Sequence, residues 1–372
     1  MRSWLSLTIE QTMDGVLKKG MFIFHRKYGT SNLIAVALVR AAEALKSRKY
    51  GVFIAATRGD DEFVKEIVSF GLNVMICPAL PFVEKEEWFW IASYDVVLVN
   101  TFPMIRAAYE IARRKPVLWW MHESRHTYES VLYRCSDYLN VKIPHFLHIF
   151  SVSESAKKNF ESYCHLAVEG LLPYGIPDEY SAGMRKKTSA FVFALIGTFI
   201  PIKAQDIFLK AIIEMTKDVD ANVEFWLIGY CDKDSYCTEV LRMTQTLPQV
   251  KILGVLNRIE MRWVFSDIDV LVCPSIEDSL PIVVAEAMMN YKVCIVAHTV
   301  GTAQYIQDGK NGFVCETGSV ESPCQKMKWV FHRRENLQDV KRNARATYEK
   351  IFSMNSFGER LHKVVTHILT MH

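Results

Sequence analysis

Two acidic residues in the second half of the chain have the types and spacing needed to bind a polyhydroxylated ligand. Asp278 and Glu286 are eight positions apart, which puts them on nearly the same helical face if a helix extends that far back. Their carboxylates would then offer two acceptors for sugar or ribose hydroxyls. The alternative is a capping acid and a solvated helix glutamate, which is the commoner explanation of an isolated pair at this spacing.

The segment around these acids could also hold a diphosphate. The strand-like run DVLVCPS ends at Ser275, and a short loop leads into the helix-like run IVVAEAMMN. A helix start offers N–H groups without intrahelical partners and the positive end of the helix dipole, both of which favour a phosphate. Lys203 follows the first strand of this half, where a cation can neutralise phosphate; alone, it would be interpreted as a surface lysine.

The elements that must position these residues alternate as in a parallel α/β protein. Short apolar runs such as MFIFH (21–25) and GVFIAAT (51–57) alternate with helical stretches such as LIAVALVRAAEALKSR (33–48). A Pro-, Gly- and charge-rich stretch over 171–190 interrupts the alternation, which then resumes. The pattern predicts two doubly wound parallel-sheet domains that face a central cleft, where ligands bind.

The length of 372 residues also favours two domains. We predict an amino-terminal Rossmann-like domain over 1–185 and a second over 186–354. The apolar spacing of the last stretch predicts a helix over 355–372 that packs back on the amino-terminal domain.

Composition and missing motifs exclude several classes of function. A formal net charge of +3 is too small for a general nucleic-acid binder. There is no GxGxxG after the first strand and no GxxxxGK[ST], GxSxG or HExxH motif, which argues against dehydrogenases, P-loop NTPases, serine hydrolases and zinc proteases. The nine cysteines are scattered through apolar runs, as expected of buried reduced thiols. The amino terminus predicts no signal peptide, and no apolar run is long enough to span a bilayer.

A series of segments in the second half resembles a known family. IGTFIPIKAQDIFLKAI, FWLIGY, VKILGVLNRIEM, DVLVCPSIEDSLPIVVAEAM and VGTAQYIQDGKNGFV follow one another within residues 192–316. In this order they resemble the carboxy-terminal half of retaining glycosyltransferases of family 4, in the glycosyl transferases group 1, which have the GT-B fold. The first half resembles the family more loosely, through its strand order, the loop at Gly29 and WWMHES.

The resemblance implies a nucleotide-sugar donor bound mainly by the second domain. By this match Asp278 contacts donor-sugar hydroxyls, Glu286 the nucleotide ribose and Lys203 the phosphates. Two positions depart from the family pattern: Thr198 replaces the usual arginine, which removes a phosphate contact, and Gln304 replaces a common glutamate. Two further groups of residues are predicted to bind the donor. Glu277, beside the acidic pair, is a weaker candidate, and the start of the following helix contributes Leu280, Pro281 and Ile282.

The resemblance places the acceptor mainly in the first domain. His122 follows PVLWWM and matches the family's histidine near the reacting sugar, although a buried structural histidine is an equal alternative. Glu123 beside it and the loop with Gly29 and Thr30 complete the predicted acceptor or phosphate loop. The aromatic clusters at 88–90 and 119–120 favour core packing over acceptor stacking. The basic run 113–115 favours a solvated helix end over a membrane contact.

The leading hypothesis is a retaining, metal-independent glycosyltransferase with His122, Asp278 and Lys203 as its catalytic residues. It would move a sugar from a UDP- or GDP-sugar to a glycan or lipid-linked hydroxyl, in surface polysaccharide synthesis. The resemblance implies no metal or cofactor. The small net charge predicts no nucleic-acid partner, and the scattered thiols predict a cytoplasmic protein, with a peripheral contact at the inner face of the plasma membrane as an option. The alternatives are a nucleotide-sugar epimerase or phosphorylase on this scaffold and a catalytically inactive partner subunit. The oligomeric state stays open.

Overall fold

A computed structural model describes residues 19–24, 33–59, 61–83, 85–183, 186–219, 222–232 and 234–372. In these ranges the chain forms two β-sheets, both parallel throughout. Helices cover them, so their central strands are buried on both faces and are apolar at almost every position. The prediction of two parallel α/β sheets is confirmed.

The first sheet has seven strands in the order β3-β2-β1-β4-β5-β6-β7. The strand order changes direction between the first strand and the fourth, which creates a crevice at the carboxyl ends of these strands. The strands are β1 (Lys19–Phe24), β2 (Gly51–Ala56), β3 (Asn73–Ile76), β4 (Val96–Asn100), β5 (Val117–Met121), β6 (Leu147–Ser151) and β7 (Gly170–Leu171).

Helices between these strands supply the covering layers of the amino-terminal half. Ser153 is the N-cap of the last of them, because its side chain accepts a hydrogen bond from Ala156 N. The helices are α1 (Leu33–Lys46), α2 (Asp61–Ser69), α3 (Lys85–Ile91), α4 (Ile105–Ala112), α5 (Arg125–Val131), α6 (Ser136–Leu139) and α7 (Glu154–Cys164).

The second sheet has six strands in the order β10-β9-β8-β11-β12-β13, with its change of direction between β8 and β11. The strands are β8 (Phe191–Ile196), β9 (Val223–Ile228), β10 (Val250–Gly254), β11 (Val270–Cys273), β12 (Val293–Ala297) and β13 (Phe313–Cys315). The helices are α8 (Gln205–Thr216), α9 (Ser235–Thr244), α10 (Arg258–Asp267), α11 (Ile282–Met289), α12 (Glu321–His332), α13 (Gln338–Thr347) and α14 (Met354–Met371).

The last helix, α14, lies against the amino-terminal half. The ring of Phe357 stacks on Trp120, with centroids 5.7 Å apart, and the hydroxyl of Tyr50 lies 2.9 Å from Nδ1 of His362. Four apolar residues along the helix are buried: Phe357, Leu361, Val365 and Ile368. The chain therefore passes from the first half to the second and returns to the first.

Several details differ from the sequence-based expectations. The predicted linker began at residue 171, but Leu171 pairs with Ser151 and belongs to the first sheet. Cys231 and Cys237 are disulfide-bonded, with Cα atoms 5.8 Å apart, whereas all cysteines were expected to be reduced. The exact end of the predicted first domain falls on 184–185, outside the described residues. Across the described part of the chain, no helix is both long and apolar enough to cross a membrane.

We expect Gly301→Ala to destabilise the protein by about 2–3 kcal/mol, because a Cβ at this position cannot be accommodated. That atom would lie 1.7 Å from the carbonyl oxygen of Ser279 and 2.6 Å from Oγ of Ser153. Urea unfolding measures the loss. Gly183→Ala is the control, because a Cβ there meets nothing within 4 Å; equal stability of the two variants would contradict the prediction.

Candidate active site in the crevice between the halves

The loop that follows β11, residues 276–280, joins the two halves; we call it the joint loop. On the side of its own half, Ile276 N donates to the carbonyl of Ile202 at 2.9 Å, and the carbonyl of Asp278 accepts from Gly301 N at 2.8 Å. Asp278 also pairs with Val300 in an isolated parallel bridge. The loop is thus fixed between the segments that follow β8 and β12.

The next two residues of the joint loop are bound by the amino-terminal half. The carbonyl of Ser279 accepts from the hydroxyl of Ser153, and the carbonyl of Leu280 accepts from the hydroxyl of Tyr174. Both contacts are buried. Main-chain acceptors of one half are therefore satisfied by side chains of the other, as buried carbonyl groups require.

The joint loop places Asp278 against Lys203. Lys203 ends a 3₁₀ turn after β8, and its Nζ donates to Oδ2 of Asp278. Burial alone would lower the pKa of Lys203, but the charge of Asp278 outweighs it and the pKa lies above its ordinary value. The lysine is therefore fully charged at neutral pH and paired with the acid of the joint loop.

Glu286 lies one turn inside α11. No described residue donates a hydrogen bond to its carboxylate, and burial raises its pKa from 4.5 to about 7. The charges of Asp278 and Glu286 both raise the pKa of the buried Tyr174 hydroxyl, after burial itself. The structure thus pairs Lys203 with Asp278 and places Tyr174 within reach of both carboxylates.

The relation of Asp278 to Glu286 differs from the predicted one. Helix α11 begins at Ile282, so Asp278 lies in the joint loop and does not share a helical face with Glu286. The N-cap position is taken by Pro281 in an extended conformation. Since proline has no N–H, the main-chain donors at this helix start come from Leu280, Ile282 and the residues after it.

His122 follows β5 in the amino-terminal half and is buried. Its Nε2 has no hydrogen-bond partner among the described residues, and its ring lies edge-on to Trp120 at 4.4 Å. Burial lowers the pKa of His122 to about 3, so the imidazole is neutral at physiological pH.

Glu123, beside it, is a buried structural acceptor. Its carboxylate accepts from the main-chain N–H groups of Phe102 and His122, at 2.8 and 2.9 Å. Burial raises the pKa of Glu123 to about 7, although these hydrogen bonds act in the opposite direction. The carboxylate thus holds the turn that presents His122, and its role in the predicted acceptor or phosphate loop stays a prediction.

Three of the remaining candidates have clear structural surroundings. Thr198 is exposed after β8, with space around its side chain. Oε1 of Gln304 accepts from Glu154 N at 2.9 Å, across the boundary of the halves. Glu277, next to Asp278, also faces the amino-terminal half. The predicted residues Gly29 and Thr30 lie outside the described residues.

Burial distinguishes core packing from acceptor stacking for the aromatic clusters. Trp119 and Trp120 are fully buried, so they are core residues and not a stacking surface. In the 88–90 cluster, only Phe89 is largely exposed, at 86%. Across the described ranges, no group of three or more His, Cys, Asp and Glu side chains is placed to hold a metal ion. Metal independence stays a prediction.

A cavity of about 690 Å³ opens beside the joint loop. Both halves line it, through α5 and α7 on one side and the segments after β11, β12 and β13 on the other. The lining includes Arg125, Lys158, Asn159, Glu277, His298 and Thr317. Sequence reasoning missed Ser153 as an interdomain donor, Asn159 and Tyr174, because each acts through a contact more than 100 positions away.

Comparison with known proteins identifies the part of the chain that holds the acidic pair. Residues 178–347 match the family model described as Glycosyl transferases group 1. The carboxy-terminal half is therefore similar to proteins of this family. A sulfoquinovosyl transferase of Arabidopsis thaliana is 28% identical over 141 residues, which are 37% of this chain and 28% of that protein. The chain thus matches about a quarter of the length of this relative.

Solved structures resemble the whole chain. A glycosyltransferase from Rickettsia africae superposes with a TM-score of 0.77 at 15% identity, over 95% of this chain and 99% of the other. HepE of Anabaena, in complex with UDP and glucose, gives a TM-score of 0.75 at 15% identity, over 93% and 99%. The segment that matches the family model therefore lies in the second of two Rossmann-like domains of a GT-B fold, and the predicted fold class is confirmed.

The raised pKa of Glu286 predicts a pH-dependent effect of Glu286→Gln on stability. The folded chain holds this proton more tightly than the unfolded chain, so ionisation of Glu286 weakens folding as the pH rises from about 4.5 through about 7. The unfolding free energy of the variant, relative to wild type, should thus increase by about 2 kcal/mol between pH 5 and pH 8.

Urea titrations at the two pH values measure this difference. The exposed helix glutamate Glu214, paired with Lys217, provides the control variant Glu214→Gln. The effect of Glu286→Gln on the unfolding free energy should change with pH, whereas that of the control should not. If neither effect changes with pH, Glu286 is not buried in the folded protein.

Proposed function

We propose that this protein is a retaining, metal-independent glycosyltransferase that uses a nucleotide-sugar donor. The observation that carries the proposal is the ion pair of Lys203 and Asp278, with Glu286 acting on the same buried Tyr174 hydroxyl as Asp278, in a segment that matches the group 1 glycosyltransferase model. The donor is a UDP- or GDP-sugar; the Anabaena structure with UDP and glucose supports UDP. The acceptor is a glycan or lipid-linked hydroxyl, in surface polysaccharide synthesis.

The ion pair of Lys203 and Asp278 suggests how the donor enters. The donor diphosphate competes with Asp278 for the ammonium group, and the two negative charges separate as the phosphate takes Nζ. Asp278 is then free to accept hydrogen bonds from sugar hydroxyls, while Glu286 accepts from the ribose. The N–H groups of Leu280 and Ile282 face the same ligand, and the charge of Lys203 stabilises the leaving diphosphate.

His122 acts by hydrogen bonding and not as a general base. A histidine whose pKa is lowered to about 3 is a weak base at neutral pH. Its buried, unpartnered Nε2 instead suits a fixed hydrogen bond to a hydroxyl of the reacting sugar. The donor phosphate would take the acceptor proton as the acceptor attacks from the same face. No protein nucleophile and no metal is then required.

The amino-terminal half would hold the acceptor, in the crevice next to His122; a contribution from Gly29 and Thr30 stays a prediction from the sequence. A lipid-linked acceptor would bring the protein to the inner face of the plasma membrane as a peripheral, cytoplasmic enzyme. A screen of UDP-, GDP- and ADP-sugars for donor hydrolysis, followed by product analysis, tests the proposal. Absence of binding to UDP, GDP and ADP would favour a catalytically inactive partner subunit.

We expect Lys203→Met to weaken UDP binding by about 10- to 100-fold, because a charge-assisted phosphate contact is lost. Asp278→Asn should have the opposite effect on UDP, since it removes the competing carboxylate, but transfer should fall by at least about 100-fold because a sugar contact weakens in the transition state. Calorimetry with UDP and steady-state rates measure both. Equal loss of UDP affinity in the two variants would exclude competition.

We expect Thr198→Arg to strengthen UDP binding by about tenfold, because the exposed position after β8 has room for a guanidinium that can contact the diphosphate. Thr198→Met, which adds bulk without charge, is the control. If the two variants bind UDP equally, the phosphate does not lie near residue 198.

A further inference from the structure

We propose that Glu277 is a positioning residue that latches the joint loop to the amino-terminal half and so aligns Asp278 with His122. The inference rests on the proposed function and assigns to Glu277 a role other than the donor contact suggested by its place beside Asp278. It depends on two hydrogen bonds that cross the crevice.

Both bonds end on one oxygen of the carboxylate. Oε1 of Glu277 accepts from the main-chain N–H of Arg125 at 2.7 Å and from Nδ2 of Asn159 at 2.5 Å. Arg125 is the first residue of α5, and the N–H groups of a helical first turn have no partner within the helix. Asn159 is in α7. One side chain thus binds two helices of the other half.

The two hydrogen-bonded residues Glu277 and Arg125 lie close in sequence to the predicted catalytic residues. Asp278 directly follows Glu277, and Arg125 is three positions after His122. A displacement of Glu277 would therefore be passed to the ion pair of Asp278 with Lys203 on one side and to the turn of His122 on the other. Catalysis that depends on alignment loses rate steeply with small displacements of this kind.

The side chain of Arg125 has a different partner. Its Nε lies 3.4 Å from Oε1 of Glu129, in the same helix. The latch consequently uses only the main chain of Arg125. Ser124, before it, is extended with φ −84° and ψ 166°, a conformation that the residue preceding a proline favours. Proline is well tolerated at the first position of a helix, so Arg125→Pro can remove the N–H and retain the helix start.

The experiment uses the full chain and compares Glu277→Ala, Glu277→Gln, Asn159→Ala and Arg125→Pro. Glu277→Ala should lower kcat/KM for transfer by about tenfold or more, mainly through kcat, and leave UDP affinity within about twofold of wild type. Glu277→Gln, which keeps an oxygen acceptor, should recover most of the rate. Asn159→Ala should resemble Glu277→Ala with a smaller loss.

Arg125→Pro is compared with Arg125→Ala, which keeps the N–H, so the difference between these two variants measures the main-chain bond alone. Arg125→Pro should be slower than Arg125→Ala by about threefold or more. Glu214→Ala, at an exposed glutamate of α8, controls for loss of a carboxylate elsewhere. Its rate should equal that of wild type.

Amide hydrogen exchange without ligand separates a failure of the latch from a failure of the proposed function. The Arg125 amide should exchange at least about tenfold faster in Glu277→Ala than in wild type and stay protected in Glu277→Gln. This holds even if the protein turns over no nucleotide-sugar. Unchanged exchange in Glu277→Ala would overturn the latch. So would a loss of UDP affinity in Glu277→Ala as large as in Lys203→Met, which would make Glu277 a donor ligand.

Discussion

The close approach of the joint loop to both halves is the constraint on which the rest of the site depends. Gly301 permits it, because any side chain there would occupy the place of the Ser279 carbonyl. Each residue of the loop has a fixed partner: Ile276 and Asp278 are bound by the segments after β8 and β12, and the other three, Glu277, Ser279 and Leu280, by the amino-terminal half. The acidic residue at its centre, Asp278, is therefore placed by its neighbours and not by its own helix.

The charges in the crevice follow from this arrangement. Lys203 and Asp278 neutralise each other, whereas the carboxylates of Glu123 and Glu286 are buried without a cation and have pKa values raised to about 7. Burying ionisable groups costs folding free energy unless they are paired or protonated. A ligand hydroxyl that donates to the Glu286 carboxylate would offset part of this cost.

Local sequence patterns could predict the sheets and the residues that carry charge. Period and apolar runs located β5 and β11, and the resemblance located Lys203, Asp278 and Glu286. They could not predict the contacts across the halves, since nothing near Ser153, Asn159 or Tyr174 indicates a partner more than 100 positions away. The predicted helical face for Asp278 and Glu286 was wrong for a related reason: Pro281 ends the extended loop, and the helix begins only after it.

The end of the chain completes the support of His122. Trp120 donates its Nε1 hydrogen to the carbonyl of Leu172, stacks on Phe357 of α14 and meets the ring of His122 edge-on. An indole held on three sides cannot shift without moving one of them, so the orientation of the imidazole depends on a helix that follows the entire second sheet. The second half thus supports His122 through two sets of contacts. Glu277 hydrogen-bonds to the start of α5, and α14 packs against Trp120. Both contacts are made by residues of β5 or of the turn and helix start that follow it, within five positions of one another. A rotation of one half relative to the other would therefore displace the imidazole of His122.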